Sequence, residues 1–427
     1  MIKTSFFGLG KPNVEHTLLP AKLPEMDSIS AGGRVTLYHA RTKDFRTPST
    51  LRVGDPVKAG QKLSLYADED TYVVSPISGK IADLFPQDGN FGVTYTGIAI
   101  DRDESSDIDD QFGAEAQTPS LEAAAKYLGW LPGQPPLAAF ADPDKEIHTI
   151  VVCGTDDDLL VATNQYILRS DLDAVTAGIK VLKQITGVEK VILTTAGETI
   201  QGYGHIGAEI KRVDTPYPSA LPHLIMHQVL GQTVPAGKSP EDVGVGFISA
   251  EATVALGQAF ETGRIPSEKT LTLITKSGLQ RIVKVPIGIA VGELLAHYNI
   301  GINDQDRLVF GGPMRGVAIY SLEQPIMPDT DAVMVLDRDD AAEVTDYPCI
   351  NCGDCVRTCP ADIPVNLLIR FLEAGQYEEA EDQYDLYSCV ECGLCSVVCV
   401  SKIPIFQYIK LAKYEIARAR AAEAADA

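Results

Sequence analysis

The sequence predicts a multidomain chain of mixed class, α/β plus α+β, and three observations carry that expectation. Its 427 residues exceed what one hydrophobic core supports, so three or four domains are expected. Its apolar pattern changes along the chain, from short alternating stretches to strand–helix alternation and back to short strands. Eight of its nine cysteines stand between residues 349 and 399.

In order, residues 1–32 form an irregular N-terminal segment, because Pro12, Pro20 and Pro24 exclude long helices and central strands. Residues 33–104 have the texture of a small all-β barrel, with alternating stretches at 34–39, 61–67, 71–74 and 80–84 punctuated by Gly54, Pro56, Gly60, Pro76 and Gly79. Residues 105–120 complete an acidic, solvated linker in which Asp107, Asp109 and Asp110 follow Asp101, Asp103 and Glu104. Residues 121–265 read as α/β: a helix at 121–128, strands at 148–153 and 190–195 around a helix at 170–186, then a helix at 219–230, a strand at 242–249 and a helix at 250–262. That alternation implies a parallel sheet with right-handed crossovers. Residues 266–338 follow a β-grasp order, with strands at 270–276, 280–286 and 307–310, a helix at 291–297, and Gly278 supplying the positive φ of the hairpin. The loop Gly311-Gly312-Pro313-Met314-Arg315-Gly316 allows close backbone approach, and no helix start follows it to hold a phosphate.

Residues 339–404 contain the cysteines as two runs, Cys349, Cys352, Cys355, Cys359 and Cys389, Cys392, Cys395, Cys399, each reading C-x2-C-x2-C-x3-C. Thiolates at i, i+3 and i+6 wrap one iron–sulfur cubane from a single loop, while the fourth reaches across to a second cluster. One [4Fe–4S] cluster is therefore expected on Cys349, Cys352, Cys355 and Cys399, and another on Cys389, Cys392, Cys395 and Cys359. Zinc is the competing metal, but its ribbons and knuckles use two C-x2-C pairs and leave the third cysteine of each run without a role. Disulfides suit small secreted domains rather than a long chain almost cysteine-free elsewhere. Helical spacing at 365–374 and 377–386, between the runs, predicts an α-helical two-cluster ferredoxin domain, and residues 405–427 predict an Ala-rich C-terminal helix. Gly353 and Gly393 each follow the second cysteine of a run, where the backbone must fold close to sulfide.

A net charge of −22 and a pI near 4.7 exclude nucleic acid as a partner, since no clustered Lys and Arg offer a phosphate-binding face. No stretch has the roughly 18 apolar residues of a membrane span, and the first residues lack the apolar core of a secretory leader. Thiolate clusters without an export signal imply the cytoplasm.

The phrases at 53–61 and 75–81 resemble the barrel-sandwich hybrid of biotinyl and lipoyl carriers, but the tip Ala67-Asp68-Glu69-Asp70 lacks the lysine those carriers modify, which implies a scaffold. The whole order resembles the C subunit of the Rnf electron-transport complex. The likeness is sharpest at 311–316, 347–360 and 388–395, continuing through 401–402 to 407–413. Residues 121–265 and the β-grasp, of the SLBB kind, also resemble the NADH- and flavin-binding subunit of complex I, which implies a Rossmann-like α/β domain. The A subunit of the sodium-translocating quinone reductase is similar but lacks the clusters.

Members of this family hold FMN and NADH by three stretches, and this chain departs from each. The glycine-rich loop is replaced by 128–136, where Pro132, Pro135 and Pro136 remove N–H donors a phosphate cradle needs. The acidic segment is replaced by Cys153-Gly154-Thr155-Asp156-Asp157-Asp158, and the third loop by Tyr217-Pro218-Ser219-Ala220-Leu221-Pro222. FMN is therefore not expected. Val400 replaces the family's proline after the eighth cysteine, which alters a helix entry and no ligand. The resemblance implies an electron-transfer subunit, peripheral on the inner face of the cell membrane. It would relay single electrons between the membrane subunits of an Rnf-like complex and a soluble partner such as ferredoxin or a flavoprotein. No catalytic residue is assigned. An FMN-containing NADH or ferredoxin oxidoreductase with a modified site, and a docking scaffold with structural clusters, are the alternatives.

Among single residues, Cys153 ends an apolar strand and reads as a small buried hydrophobe. His16, His205, His223 and His227 lack partners at metal spacing, although the last two stand four apart in an expected helix. Asp156, Asp157 and Asp158 read as a solvated strand end, and Arg315 as a surface group or one that meets an anion.

Overall fold

A computed structural model of the chain describes residues 12, 14–30, 32–43, 47–104, 107–197 and 206–426; His205 lies outside them. The α/β region is built on a four-stranded, all-parallel sheet ordered Glu209–Val213, Lys190–Ala196, Thr149–Cys153 and Val245–Ser249. One face sends Ile150, Val152 and Leu193 into a core shared with the helices Leu172–Thr186 and Ala250–Thr262. The other presses Val151, Ile192 and Val245 against Ile225 and Met226. Cover on both faces is why these strands read as apolar runs rather than alternating ones. The two long helices touch at glycines: a Cβ on Gly178 would overlap the Thr253 carbonyl oxygen.

Two local expectations fail here. The helix expected over 219–230 is a short turn, Pro222–Leu224, followed by the wider π turn Ile225–Val229. An unexpected helix, Thr163–Ser170, precedes Leu172–Thr186. Its start is held by Asp156, whose carboxylate accepts from the amides of Asn164 at 2.7 Å and Gln165 at 3.2 Å.

The region expected to be a β-grasp lies in a six-stranded mixed sheet ordered Met26–Ser28, Gln280–Pro286, Glu268–Ile274, Ala332–Leu336, Arg307–Phe310 and Val317–Ile319. The helix Val291–His297 packs Val291, Leu294 and Leu295 on Leu271, Val283 and Val285. Met26–Ser28 arises within the Pro-rich start and pairs in parallel with residues 282–284. An edge strand tolerates nearby prolines because it has one neighbour to satisfy.

The barrel region pairs Arg34–Ala40, Thr94–Arg102, Gly79–Asp88 and Pro56–Val57, beside the small pair Lys62–Leu63 and Val73–Val74. Its core includes Ile287 from the neighbouring sheet, and Thr36 donates its amide to Gly288 at 2.9 Å, so the two regions are welded. At the tip, Glu69 accepts from the Tyr66 amide at 2.8 Å and from the hydroxyls of Thr42 and Thr71 at 3.0 and 3.1 Å.

A buried ionic knot joins the α/β and β-grasp regions. Fully buried Lys269 donates to Glu251 at 2.5 Å and to Asp331 at 3.2 Å, while Glu251 also accepts the Thr270 amide at 2.7 Å. Burial pulls the Lys269 ammonium down, but the two carboxylates more than offset it and hold it charged. Among the described residues no helix is long and apolar enough to cross a membrane.

Candidate metal centre

The cysteine region is an internal duplication, residues 349–373 matching 389–413 without gaps at a spacing of 40 residues. In both halves the residue before the second cysteine is left-handed, Asn351 at φ 59° and Glu391 at φ 55°, and so is the glycine after it, Gly353 at 77° and Gly393 at 75°. Short helices follow, Asp354–Thr358 and Leu394–Val397. Three residues past the fourth cysteine the backbone is left-handed again, at Asp362 and Lys402, before buried Ile363 and Ile403, then Pro364 and Pro404. The prolines open the helices Val365–Glu373 and Ile405–Asp426. Left-handed conformations on non-glycine residues cost on the order of 1 kcal/mol each and persist where surrounding structure enforces them. Their effect here is to turn amides toward sulfur: the Glu391 N–H donates to Cys389 Sγ at 3.4 Å.

All nine cysteines are free thiols. Burial pushes the Cys355 thiol up to about 12, and Cys352, Cys349 and Cys399 add to that, against the pull of the Val356 amide. Burial likewise pushes Cys392 up to about 12 against the Leu394 amide, with Cys389 and Cys359 as its thiol neighbours. Cys389 is raised by burial, with Cys359 the thiol beside it, and Cys395 is raised by burial and then by Cys389 and Cys392. Cys355 and Cys359 also act on Cys395, so the two groups adjoin. Cys355 thus has Cys349, Cys352 and Cys399 among its thiol neighbours, and Cys392 has Cys389 and Cys359. Six of the eight cysteines share one apolar core with Ile363, Leu368, Leu386, Ile403 and Ile409. Eight unpaired thiols in two groups of four fit a pair of four-iron clusters, each thiolate taking one iron. Among the described residues no three His, Cys, Asp or Glu side chains are gathered closely enough for a single metal ion, a condition that a four-iron cluster does not impose.

The second run is seated on the body of the protein. Cys392 and Leu394 pack with Tyr217, Leu221, Leu224 and Met314. Tyr217 donates its hydroxyl to the Cys392 carbonyl at 2.6 Å, and a Cβ on Gly393 would lie 2.6 Å from the Met314 carbonyl oxygen. Lys413 braces the same run, donating to the Cys389 carbonyl at 3.1 Å and to Glu391 at 2.8 Å. The glycine loop beneath is held by Asp158, which accepts from the amides of Leu159, Met314 and Arg315 at 2.6, 3.1 and 2.8 Å.

The expectation of a solvated Asp156–Asp158 stretch is therefore corrected, since Asp156 and Asp158 are both buried and hydrogen-bonded to backbone amides. Burial pushes Asp156 up to about 7 and Asp158 up to about 6, against those amides. Asp157 pairs with Arg315, which thus meets an anion of its own chain.

The three stretches that stand in place of flavin loops are engaged with protein. In 128–136, Leu128 and Leu131 are buried and the Gly133 amide donates to Pro328 at 2.8 Å. A Cβ on Gly133 would stand 2.7 Å from the Ala252 amide, so this loop closes over the first turn of Ala250–Thr262, which Ser249 caps. The second stretch anchors the helix Thr163–Ser170 and the glycine loop, and the third supports the cysteines. The cleft of about 510 Å³ beside Glu391, Arg315 and Lys410 takes Asp157 and Asp158 from the second stretch and no residue of the other two.

Cys153 sits at the end of its strand with its thiol pushed up to about 12 by burial, as a small hydrophobe would be. The π turn breaks the regular helix expected between His223 and His227, and burial lowers the His223 pKa. Sequence reasoning missed Tyr217 and Met314 as the floor of the second run; their only sequence signal was membership of stretches already singled out.

Two family descriptions match: the NqrA second alpha/beta domain over residues 133–265 and a 4Fe-4S dicluster domain over 348–403. The fold and cysteines thus define a mixed α/β protein with a ferredoxin-type domain. Among curated relatives, the C subunit of a proton-translocating ferredoxin:NAD(+) oxidoreductase complex from Clostridium ljungdahlii is 27% identical over 394 residues, covering 86% of this chain and 85% of that one. The C subunit of a Na(+)-translocating ferredoxin:NAD(+) oxidoreductase complex from Acetobacterium woodii is 23% identical, covering 74% and 76%. The C subunit of an ion-translocating oxidoreductase complex from Pseudomonas aeruginosa is 32% identical over 72% of this chain, which spans 42% of that relative's length. The chain is related to the C subunits of these complexes, as its motifs imply.

Proposed function

We propose that this chain is the electron-transfer subunit of a membrane-associated Rnf-type complex. It relays single electrons through two [4Fe–4S] clusters, one on Cys349, Cys352, Cys355 and Cys399 and the other on Cys389, Cys392, Cys395 and Cys359. The observation that carries this reading is the twice-repeated C-x2-C-x2-C-x3-C run inside the 4Fe-4S dicluster match, with Cys399 among the neighbours of Cys355 and Cys359 among those of Cys392. When bound, such clusters accept and release one electron with little rearrangement, and their potentials follow burial and hydrogen bonds to sulfur. The chain's own contribution is to seat the thiols, shield the second group under Tyr217 and Met314, and aim the Glu391 amide at sulfur.

The protein works without FMN or NADH of its own. Support comes from the three replaced loops: the Gly133 amide goes to Pro328, Asp156 and Asp158 are spent on a helix start and on the glycine loop, and Tyr217 on the Cys392 carbonyl. The division into a barrel-sandwich hybrid (33–104), a Rossmann-like domain (121–265), an SLBB β-grasp (266–338) and the cluster domain (339–404) belongs to the same reading. So do its place on the inner face of the cell membrane and its partners, the membrane subunits and a soluble ferredoxin or flavoprotein. The test is iron, sulfide and flavin analysis of anaerobically purified protein, with EPR after dithionite reduction. About eight iron atoms, no flavin and reversible signals are expected. Four iron atoms or fewer, or stoichiometric FMN, would sink the proposal.

A further inference from the structure

The two thiol groups are unequally exposed. In the second, Cys392 and Cys395 are buried and Cys359 and Cys389 half-buried, whereas in the first Cys352 is exposed, Cys349 and Cys399 are half-buried and Cys355 is buried. Around the first group stand large apolar side chains facing solvent: Tyr347, Ile350 and Val400 are 67%, 66% and 56% exposed. The chain at 345–348 runs beside 400–402, which brings Tyr347 and Ile350 near Val400. Thr345 donates its amide to Lys402 at 3.1 Å and its hydroxyl to Ser401 at 2.6 Å, and Ser401 donates its hydroxyl to Pro348 at 3.2 Å.

The surroundings are acidic. The segment leading into this face carries Asp337, Asp339, Asp340, Glu343 and Asp346 against Arg338, which is already paired with Asp339. Closer in, Arg357 is paired with Asp354, and Lys402 is exposed. Exposed apolar side chains grouped within a charged rim are the composition of a protein contact. An acidic rim attracts a basic partner and repels a second copy of the same face.

We propose that the face formed by Tyr347, Ile350 and Val400 around Cys352 docks a one-electron redox protein whose own apolar contact is ringed by Lys and Arg. The inference rests on the electron-transfer reading above and names the port through which it operates. One electron passes between the cluster of the first thiol group and the partner's redox centre, one being oxidised as the other is reduced, with no proton moved and no bond made. The second group, whose Cys392 packs on Tyr217 and Met314, would exchange electrons through the first.

The probe is mitochondrial cytochrome c, a basic protein with lysines around its haem edge, used with anaerobic holoprotein. Its affinity is measured by binding to immobilised holoprotein, and its reduction by stopped flow. The paired substitution Tyr347→Ser with Ile350→Ser lowers both by about tenfold or more, as loss of central apolar contacts does. Asp346→Lys lowers both and flattens their dependence on salt. Val53→Ser and Leu279→Ser, exposed apolar positions elsewhere, leave both unchanged, and iron content and EPR signals stay at the wild-type level throughout. Wild-type affinity in the paired variant overturns the proposal, as does a wild-type dimer that the paired variant dissolves, since the face would then belong to a second copy. Clusters that cannot be reduced would fail the electron-transfer reading instead, and the binding arm would still decide the docking face.

Discussion

Tyr217 and Cys392 are 175 residues apart in sequence, and the tyrosine hydroxyl donates to the cysteine carbonyl at 2.6 Å in a buried contact. It is the polar link in an otherwise apolar seat for the second cysteine run. Tyr217→Phe leaves that carbonyl without its donor, which costs about 1–3 kcal/mol for a buried group. The expected outcome is an unfolding midpoint lowered accordingly under anaerobic denaturation. EPR should change for the cluster of the second group and stay the same for the first.

The crossing of the fourth cysteines has a pairwise signature. Cys399→Ser should remove the same EPR signal as Cys352→Ser, although the two lie in different runs. Cys359→Ser should remove the signal that Cys389→Ser removes. If Cys399→Ser instead matches Cys389→Ser, each run holds its own cluster and the exchanged arrangement is wrong.

Lys269 neutralises two carboxylates inside the junction of the α/β and β-grasp regions. Lys269→Met leaves Glu251 and Asp331 without their cation, and removing one partner of a buried ion pair costs about 3–5 kcal/mol. Adding Glu251→Gln should recover much of that loss, since the uncompensated charge goes with it. Urea titrations of the two variants measure both numbers.

Asp156 has its folded pKa raised by burial from 3.8 to about 7. A raised carboxyl binds more protons folded than unfolded, so its contribution is present below about pH 4 and is lost as pH rises toward 7. Buried His16 and His223, with lowered pKa, work in the opposite direction near 6.5, so the bare pH profile mixes both. The stability of wild type minus that of Asp156→Asn isolates the carboxyl. It should fall between roughly pH 4 and 7, and a flat difference would show that Asp156 stays ionised.

The parallel sheet was readable from sequence because strands covered on both faces are apolar at every position, as Ile150, Val151 and Val152 are. The thiols were readable because cluster loops impose fixed spacing. Asp156 and Asp158 misled for a physical reason. Three adjacent carboxylates are usually solvated, and all but one of the amides that justify burying these two lie from 8 to 157 residues away. The seat beneath Cys392 escaped for the same reason, being made by contacts between distant parts of the chain. The 40-residue duplication was readable in principle from the repeated Ile-Pro at 363–364 and 403–404 after each fourth cysteine.

The Pro-rich start is a strap. Its carbonyls at Thr17, Leu19, Pro20 and Ala21 accept from Gln165 and Arg169, its His16 amide donates to Thr215, its strand Met26–Ser28 edges the β-grasp sheet, and Asp27 accepts from Tyr298. These partners come 148 to 271 residues later. During synthesis the strap therefore emerges long before anything exists for it to bind. Closing such long loops is slow and follows the local elements. Translated ahead of the two regions it binds, this stretch must wait for both before it can lock the α/β and β-grasp regions together.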